Sequence, residues 1–296
     1  MREGQLIDWI RRQGRVSQAA VPVGPGDDCA VVRCGGKKLL ITTDQVLDGV
    51  HFVLREHGPA AAGRKAMARN LSDVAAVAGV PLAAVATVAL PRGMAMSAAK
   101  AIYRGMESLG RRFGCPIVGG DVGCWAGKLA ITVTILARAA AGGPVLRTGA
   151  RPGDAICVTG RLGGAWRTRR HLTFAPRIRE AQAIAASCKL HAMIDISDGL
   201  SVDLGHVCAE SKVGAELVAS EIPVARGATL EQALGDGEDY ELLFALPARQ
   251  VKRLKSLRLG VPVTRIGTIT ETRGLVLVAP GGKPRHLRSK GWEHRT

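Results

Sequence analysis

Residues 74–91 read VAAVAGVPLAAVATVALP and carry no charged side chain. So apolar a run is driven out of water, and its length invites comparison with a membrane span. Gly79-Val80-Pro81 argues against that, because proline lacks an amide donor and its ring clashes with the helical turn before it. The run therefore reads as the end of a helix over 60–78, a break, and a buried strand over 84–90. A helix feeding directly into a buried strand calls for a mixed α/β core.

The rest of the chain fits that frame. Apolar runs at 29–33, 38–43, 115–121 and 128–139 read as strands, 3–13 as a short amphipathic helix, and 95–113 as a helix with Leu, Met and Ile at helical spacing. The stretch 142–160, GGPVLRTGARPGDAICVTG, is rich in Gly, Pro and Arg and marks a domain boundary. Beyond it, strands are expected near 154–159, 191–195, 214–218, 240–246, 263–269 and 275–279, and helices near 177–188, 199–212 and 248–257. The fold class is α+β in two halves, 1–141 and 142–296, in a chain long enough for two cores.

Hydrophobic residues are 47% of the 296, which makes the chain globular. Aromatics are only 3%, which opposes single-stranded nucleic-acid binding by base stacking. Lys and Arg number 41 against 25 Asp and Glu, for a net charge of +16. That charge is either a solvated basic surface or an attraction for phosphorylated partners. No nucleic-acid signature accompanies it, so nucleic acid is not expected as a partner. The cysteines (29, 34, 115, 124, 157, 188 and 208) are odd in number and form no C-x-x-C, so they read as reduced, mostly core thiols of a cytoplasmic protein. Asp8, Arg11 and Arg12 interrupt any signal-peptide core, and no membrane association is expected.

In so basic a chain, carboxylate positions carry information. Asp27 and Asp28 (GPGDD), Asp44 (ITTDQ), Asp121 (VGGDV), Asp195 and Asp198 (IDISDG) and Asp236 and Asp239 (GDGEDY) fall at strand ends and glycine turns. Asp73 (NLSD) lies in a helical run, on the same face as Asn70. Aspartate favours turns and helix caps, and Ser197 or Asp198 would cap a helix from Gly199. Capping does not explain the doublets, since adjacent carboxylates repel unless a cation lies between them. Mg²⁺ takes one or two carboxylates together with substrate phosphates, and the lack of a His/Cys cluster favours it over zinc. The chain has no G-x-x-x-x-G-K-[ST] loop, no convincing G-x-G-x-x-G, no kinase H-R-D or D-F-G and no G-x-S-x-G elbow. A nucleotide would be gripped by metal ions and glycine-rich backbone, which is the machinery of phosphoryl transfer.

The motifs GPGDDCAVV, TTDQVLDGVHF, RNLSDVAAVAGVP, VGGD, RTGARPGDAICVTG, MIDISDGLSVDLGH and GEDYELLFALP resemble, in order and spacing, those of thiamine-monophosphate kinases, over about residues 3–293. The resemblance implies a two-domain fold of the aminoimidazole-ribonucleotide synthetase superfamily. Its N-terminal domain binds ATP and Mg²⁺ and dimerises through its sheet, and its C-terminal domain is α+β. It also implies a cytoplasmic homodimer in which ATP phosphorylates thiamine phosphate to thiamine diphosphate. The transfer is direct, assisted by several Mg²⁺ ions, and no general base is assigned. Carried over by motif, Asp27, Thr42, Thr43, Asp44, Asp73, Asp121, Asp195 and Asp198 are the implied Mg²⁺ ligands. Tyr103, Gly120, Asp121, Arg147 and Ser197 are the implied ATP contacts. His51, Glu238 and Trp292 are the implied thiamine phosphate contacts, with Trp292 offering a π face to the thiazolium. Tyr103 equally fits a helix core, His51 a half-buried strand edge and Trp292 C-terminal packing. Asp28 either ligates metal or orients its neighbours.

The chain departs from the family pattern in two places. GGDVG puts Val122 and Gly123 where the family has two hydroxyl side chains. TGRLGGAWRTRRHLTFAPRI is shorter than the family's corresponding helical segment, which could alter the packing of the C-terminal half or the mouth of the site. The alternatives are another ATP-dependent synthetase of the superfamily, or a catalytically impaired relative that binds nucleotide or nucleic acid. Cys29 and Cys34 do not suit selenophosphate synthetase, the ending GWEHRT does not suit the hydrogenase-maturation relative, and G-E-D-Y-E-L does not suit aminoimidazole-ribonucleotide synthetase.

Overall fold

The computed structural model describes residues 6, 9–11, 17–279, 281–287 and 291, so most of the helix expected over 3–13 lies outside the described residues. Two mixed sheets carry the fold. The first has the order β1-β2-β5-β3-β4, with β1 Ala30–Cys34, β2 Lys37–Leu47, β3 Val80–Pro91, β4 Ile117–Trp125 and β5 Ala130–Arg138. The second has the order β12-β11-β8-β10-β6-β9-β7, with β6 Asp154–Thr159, β7 Ala192–Asp195, β8 Gly214–Val218, β9 Leu242–Pro247, β10 Val263–Thr270, β11 Gly274–Val278 and β12 Pro284–His286. The helices are α1 Leu54–His57, α2 Pro59–Ala76, α3 Met96–Arg112, α4 Arg170–Thr173, α5 Ile178–Ser187, α6 Leu200–Ser211, α7 Leu230–Gly235 and α8 Val251–Leu254.

Helix α2 is the shared layer. One hydrophobic core joins Ala66, Met67, Leu71 and Val74 of α2 to Ile131, Val133 and Ile135 of the first sheet and to Cys157, Met193 and Phe244 of the second. The alternate residues Ile156, Val158, Ile194, Leu243 and Ala245 enter a separate core against α6. Strands β6, β7 and β9 are therefore buried on both faces, which is why their sequences run apolar without alternating. A helix enclosed this way must be slim, and α2 is built from PAAAGRKAMARNLSDVAA. Against α3 the fit is closer still. A Cβ on Gly63 would lie 2.0 Å from the Ile102 carbonyl oxygen, and one on Gly105 would lie 2.1 Å from that of Ala60.

Several boundaries move. Helix α2 ends at Ala76, and Ala78, at φ 52°, turns the chain so that β3 starts at Val80. Pro81 is accommodated by a register shift against β5. Strand β4 runs on to Trp125 because it pairs with β3 along its length. Over 248–257 the helix shrinks to α8 after a short 3₁₀ turn. Helices α1, α4 and α7 and strand β12 had no expectation, although Thr229 and Gln232 form a full capping box at α7. At α6 neither Ser197 nor Asp198 is the cap. Gly199 takes that position at φ 117°, and Asp203 in the first turn accepts from the Asp198 and Gly199 amides, both at 3.1 Å. All seven cysteines are free, five of them buried. Among the described residues no helix is long and apolar enough to cross a membrane.

Gly63→Ala is expected to destabilise the fold by about 1–3 kcal/mol, because the opposing backbone cannot yield as a side chain would. A urea midpoint within error of the parent's would show that the helices part without strain.

Candidate active site

The carboxylates meet where the two sheets face α2. Asp28 comes from the turn before β1, Asp73 from α2 and Asp195 from the end of β7, and one oxygen of each lies within 4.8 Å of the others. The Asp28 and Asp195 side chains are buried. Asp28 Oδ1 accepts from Arg147 Nη2 at 2.6 Å, while its Oδ2 is buried without a partner. Asp73 Oδ2 accepts from the Thr42 hydroxyl at 2.5 Å, and Asp195 Oδ2 from the Ser72 hydroxyl at 2.5 Å. Burial raises the Asp73 carboxyl well above its usual range, and the neighbouring Asp44, Asp195 and Asp28 charges add to this. Burial, with Asp28 next to it, lifts Asp195 to about 7. Crowded, oxygen-only donors with one orphaned carboxylate oxygen suit a hard divalent cation such as Mg²⁺.

The Asp doublet divides its work. Asp27 stands outside the three-carboxylate group, accepting from the Asp28 amide at 3.0 Å and the Arg147 amide at 3.1 Å. Burial and the Asp28 charge push it up to about 6. Asp44 sits on the α2 side of β2, where Arg69 Nε donates to it at 2.8 Å. Thr43 points to the opposite face and pairs with the Thr134 hydroxyl at 2.9 Å. Asp198 belongs to a second group, with Asp203 and His206, at the start of α6.

Gly120, Asp121 and Tyr103 lie elsewhere, lining a cavity of about 370 Å³ beside β4 with Val122. Asp121 stands in register with Thr87, Thr132 and Gln45, on the sheet edge remote from β2. Three strand spacings separate β2 from β4, about 14 Å in all, so Asp121 does not join the other carboxylates within one chain. Tyr103 is 46% exposed and is not a core residue.

The third constellation centres on Lys65, which is fully buried. Its ammonium donates to the His51 carbonyl at 2.6 Å, to His171 Nδ1 at 2.9 Å and to Glu238 Oε2. His51 itself is buried rather than half-buried, its Nδ1 accepting from the Leu47 amide at 3.0 Å. Burial pushes Lys65 down to about 8, with Glu238 opposing. Burial also acts to raise Glu238, but His171 and the Lys65 and Arg69 cations outweigh it and hold the carboxyl at about 2. The Ser197 carbonyl accepts from the Glu238 amide at 2.7 Å. Trp292 lies outside the described residues.

The shortened segment packs residue for residue onto the GEDYEL strand entry. His171 lies 3.6 Å from Glu238, Arg170 pairs with Asp239 at 2.5 Å, Phe174 stacks on Tyr240 at 4.1 Å, and Arg177 grips Glu241 through two bonds. Lys65, Arg69, Ser72, His171 and Arg177 had no role in the sequence reading. The available signal was Lys65 and Arg69 one turn apart in an alanine-rich helix that also carries Asp73.

The raised carboxyls fix a pH dependence. Asp27 and Asp195 bind protons more readily folded than unfolded, so without metal the fold loses stability as pH rises from about 4 through about 7. The metal-free melting temperature is expected to fall from about pH 5 to about pH 8, and saturating Mg²⁺ to restore more of it at the higher pH, where protons no longer compete. An Mg²⁺ effect that is equal at both ends would show that these groups do not bind the ion.

The model for the N-terminal domain of AIR synthase related proteins matches residues 26–139, and that for their C-terminal domain matches 151–280. The thiamine-monophosphate kinase of Rhodopirellula baltica is 38% identical, over 99% of this chain and 97% of its own. That of Bacillus subtilis is 30% identical, over 99% of both. The solved structure of AaThiL complexed with AMPPCP and TMP superposes with a TM-score of 0.85 at 31% identity, covering 99% of this chain and 97% of that one. Similar along its whole length in sequence and in fold, the chain belongs to the thiamine-monophosphate kinase family of AIR synthase related proteins.

Proposed function

We propose that this chain transfers the terminal phosphoryl group of ATP to thiamine phosphate, giving thiamine diphosphate. The convergence of Asp28, Asp73 and Asp195 into one group of oxygen donors carries the reading, with the Lys65–Glu238 pair about two turns away along the same helix α2. The relative solved with AMPPCP and TMP supports it.

Asp28, Asp73 and Asp195 would hold Mg²⁺, with Asp27, Thr42, Asp44 and Asp198 at the margins. The ions supply neutralisation of phosphate charge. Arg147, anchored by Asp28, presents its guanidinium to phosphate oxygens, and its buried Nε still lacks a partner. Ser197 steadies the Glu238 turn through its carbonyl, and its side chain would contact the nucleotide. His51 and Glu238, both fastened to Lys65, orient thiamine phosphate. No side chain is needed as general base, since a phosphate acceptor is already nucleophilic. The free cysteines suit a cytoplasmic setting, and the boundary between the two domains falls within 142–150.

The protein works as a homodimer in this reading. The face of the first sheet turned away from α2 leaves Leu82, Val85 and Leu136 each more than a third exposed. A second copy laid across it would bring the partner's β4, with its Asp121, Gly120 and Tyr103, towards Thr43 on that face and the strand that carries Asp44. The position of Asp121 on a remote edge then follows from a site completed between subunits.

Purified protein given ATP, Mg²⁺ and thiamine phosphate is expected to form thiamine diphosphate, and absence of product at high enzyme concentration would return the impaired-relative reading. Asp73→Asn should lower kcat by about 10²–10³-fold while leaving the metal-free melting temperature equal or higher, since a buried like charge is gone. Asp44→Asn and Asp121→Asn should each be inactive alone. Mixed after subunit exchange, they should recover about a quarter of wild-type activity through the one intact site of each mixed dimer. Failure to complement would place both residues in sites made by one chain.

A further inference from the structure

Aromatic side chains are scarce here, with four Trp, two Tyr and four Phe in the whole sequence. Yet Trp166 sits against the Lys65 constellation, in the segment between Thr159 and Ile178. Its indole stacks on the His171 ring at 4.2 Å and 18°, with the His57 ring edge-on at 6.2 Å. Lys65 Nζ lies 5.5 Å from the ring centroid. The indole remains 45% exposed.

The turn that carries it is fixed at both ends. The Gly163 amide donates to both oxygens of Asp239, at 3.0 and 2.9 Å, and the Thr168 hydroxyl donates to the Gly164 carbonyl at 2.8 Å. Ala165 is fully buried beside it. The indole is therefore a rigid shelf, with the His171 ring against one face and nearly half of the residue's surface exposed. Beneath it His171 is buried. Its Nδ1 lies 2.9 Å from the Lys65 ammonium, and its Nε2 is buried without a partner among the described residues. Beside the shelf, the Glu238 side chain keeps 18% of its surface open, and an ionised carboxylate there accepts from an exocyclic amino group.

We infer that Trp166 is a specificity-determining residue whose open face stacks on the heterocyclic end of thiamine phosphate, while Glu238 accepts from the amino group of that heterocycle and the phosphate end reaches the carboxylate cluster. The inference rests on the proposed function for the identity of the substrate. Flat, partly cationic rings are the ligands an indole face holds best. The choice of a tryptophan held by stacking, rather than a mobile loop residue, makes recognition a matter of ring shape.

Steady-state kinetics on Trp166→Ala and Trp166→Phe test it. The alanine variant should raise KM for thiamine phosphate about tenfold or more, the loss of one stacked aromatic, with kcat and KM for ATP within about twofold of wild type. Phenylalanine should restore most of the affinity. Unchanged KM in the alanine variant overturns the inference. So does a joint change in kcat and both KM values with a lower melting temperature, which would make the indole a cover for the buried ion pair. Titrating thiamine monophosphate alone, without ATP, should quench wild-type tryptophan emission, and most of that quenching should disappear in Trp166→Phe. Quenching that persists in that variant overturns the inference as well. If the wild type makes no thiamine diphosphate, the proposed function fails, and the fluorescence titration still decides whether the heterocycle binds at Trp166.

Discussion

The structure depends on a repulsion it has to manage. Carboxylates of Asp28, Asp73 and Asp195 are drawn together from three segments into a region with little water, where like charges cannot all ionise cheaply. The protein offsets this with the Arg147 guanidinium and with hydroxyl donors from Thr42 and Ser72. These are enough to place the groups but too few to neutralise them, and the balance is left to protons or to a cation. The geometry is thus set before any ion arrives, and ordering costs are met during folding instead of during turnover.

Holding the cluster requires both sheets to grip α2, since Asp195 ends a strand of the second sheet and Asp73 lies on the helix. Arg64 of α2 supplies one such grip by donating to the carbonyls of Leu172, Thr173 and Phe174. The same stretch continues into the pairs that Arg170, His171, Phe174 and Arg177 make with residues 238–241. The short segment therefore loses no anchoring. Its four pairings fix the Glu238 turn in one arrangement, while Arg64 fastens the segment itself to α2.

Much of this was legible in the sequence. The break at Gly79-Val80-Pro81, the strand runs and α2 followed from hydrophobic patterning, and Asp73 and Asp195, which converge with Asp28, were among the aspartates that the motif resemblance singled out. Three features did not. Asp27 and Asp28 differ only in where a turn points each carboxylate, and no pattern of adjacent identical residues tells which one faces inward. Lys65 is an ordinary helical lysine until the fold encloses it. Asp121 belongs to the same series of motifs as Asp44, whose strand lies across the sheet, and a series of motifs preserves order along the chain without stating distance across it.

The Glu238 turn shows how these parts depend on one another. Glu238 and Tyr240 hold φ at 59° and 51°, a conformation non-glycine residues adopt at a cost. Alternate residues so bent throw the side chains of Glu238 and Tyr240 towards α2 and the short segment, where Lys65 and the Phe174 ring receive them. Asp239 and Glu241 are left to tie down the Gly163 turn and Thr159 on the other side. Relaxing the backbone would break all of these contacts together, so the strain is held by partners on both sides of the chain. The carboxylate that would face thiamine phosphate is consequently held by the packing of the two domains.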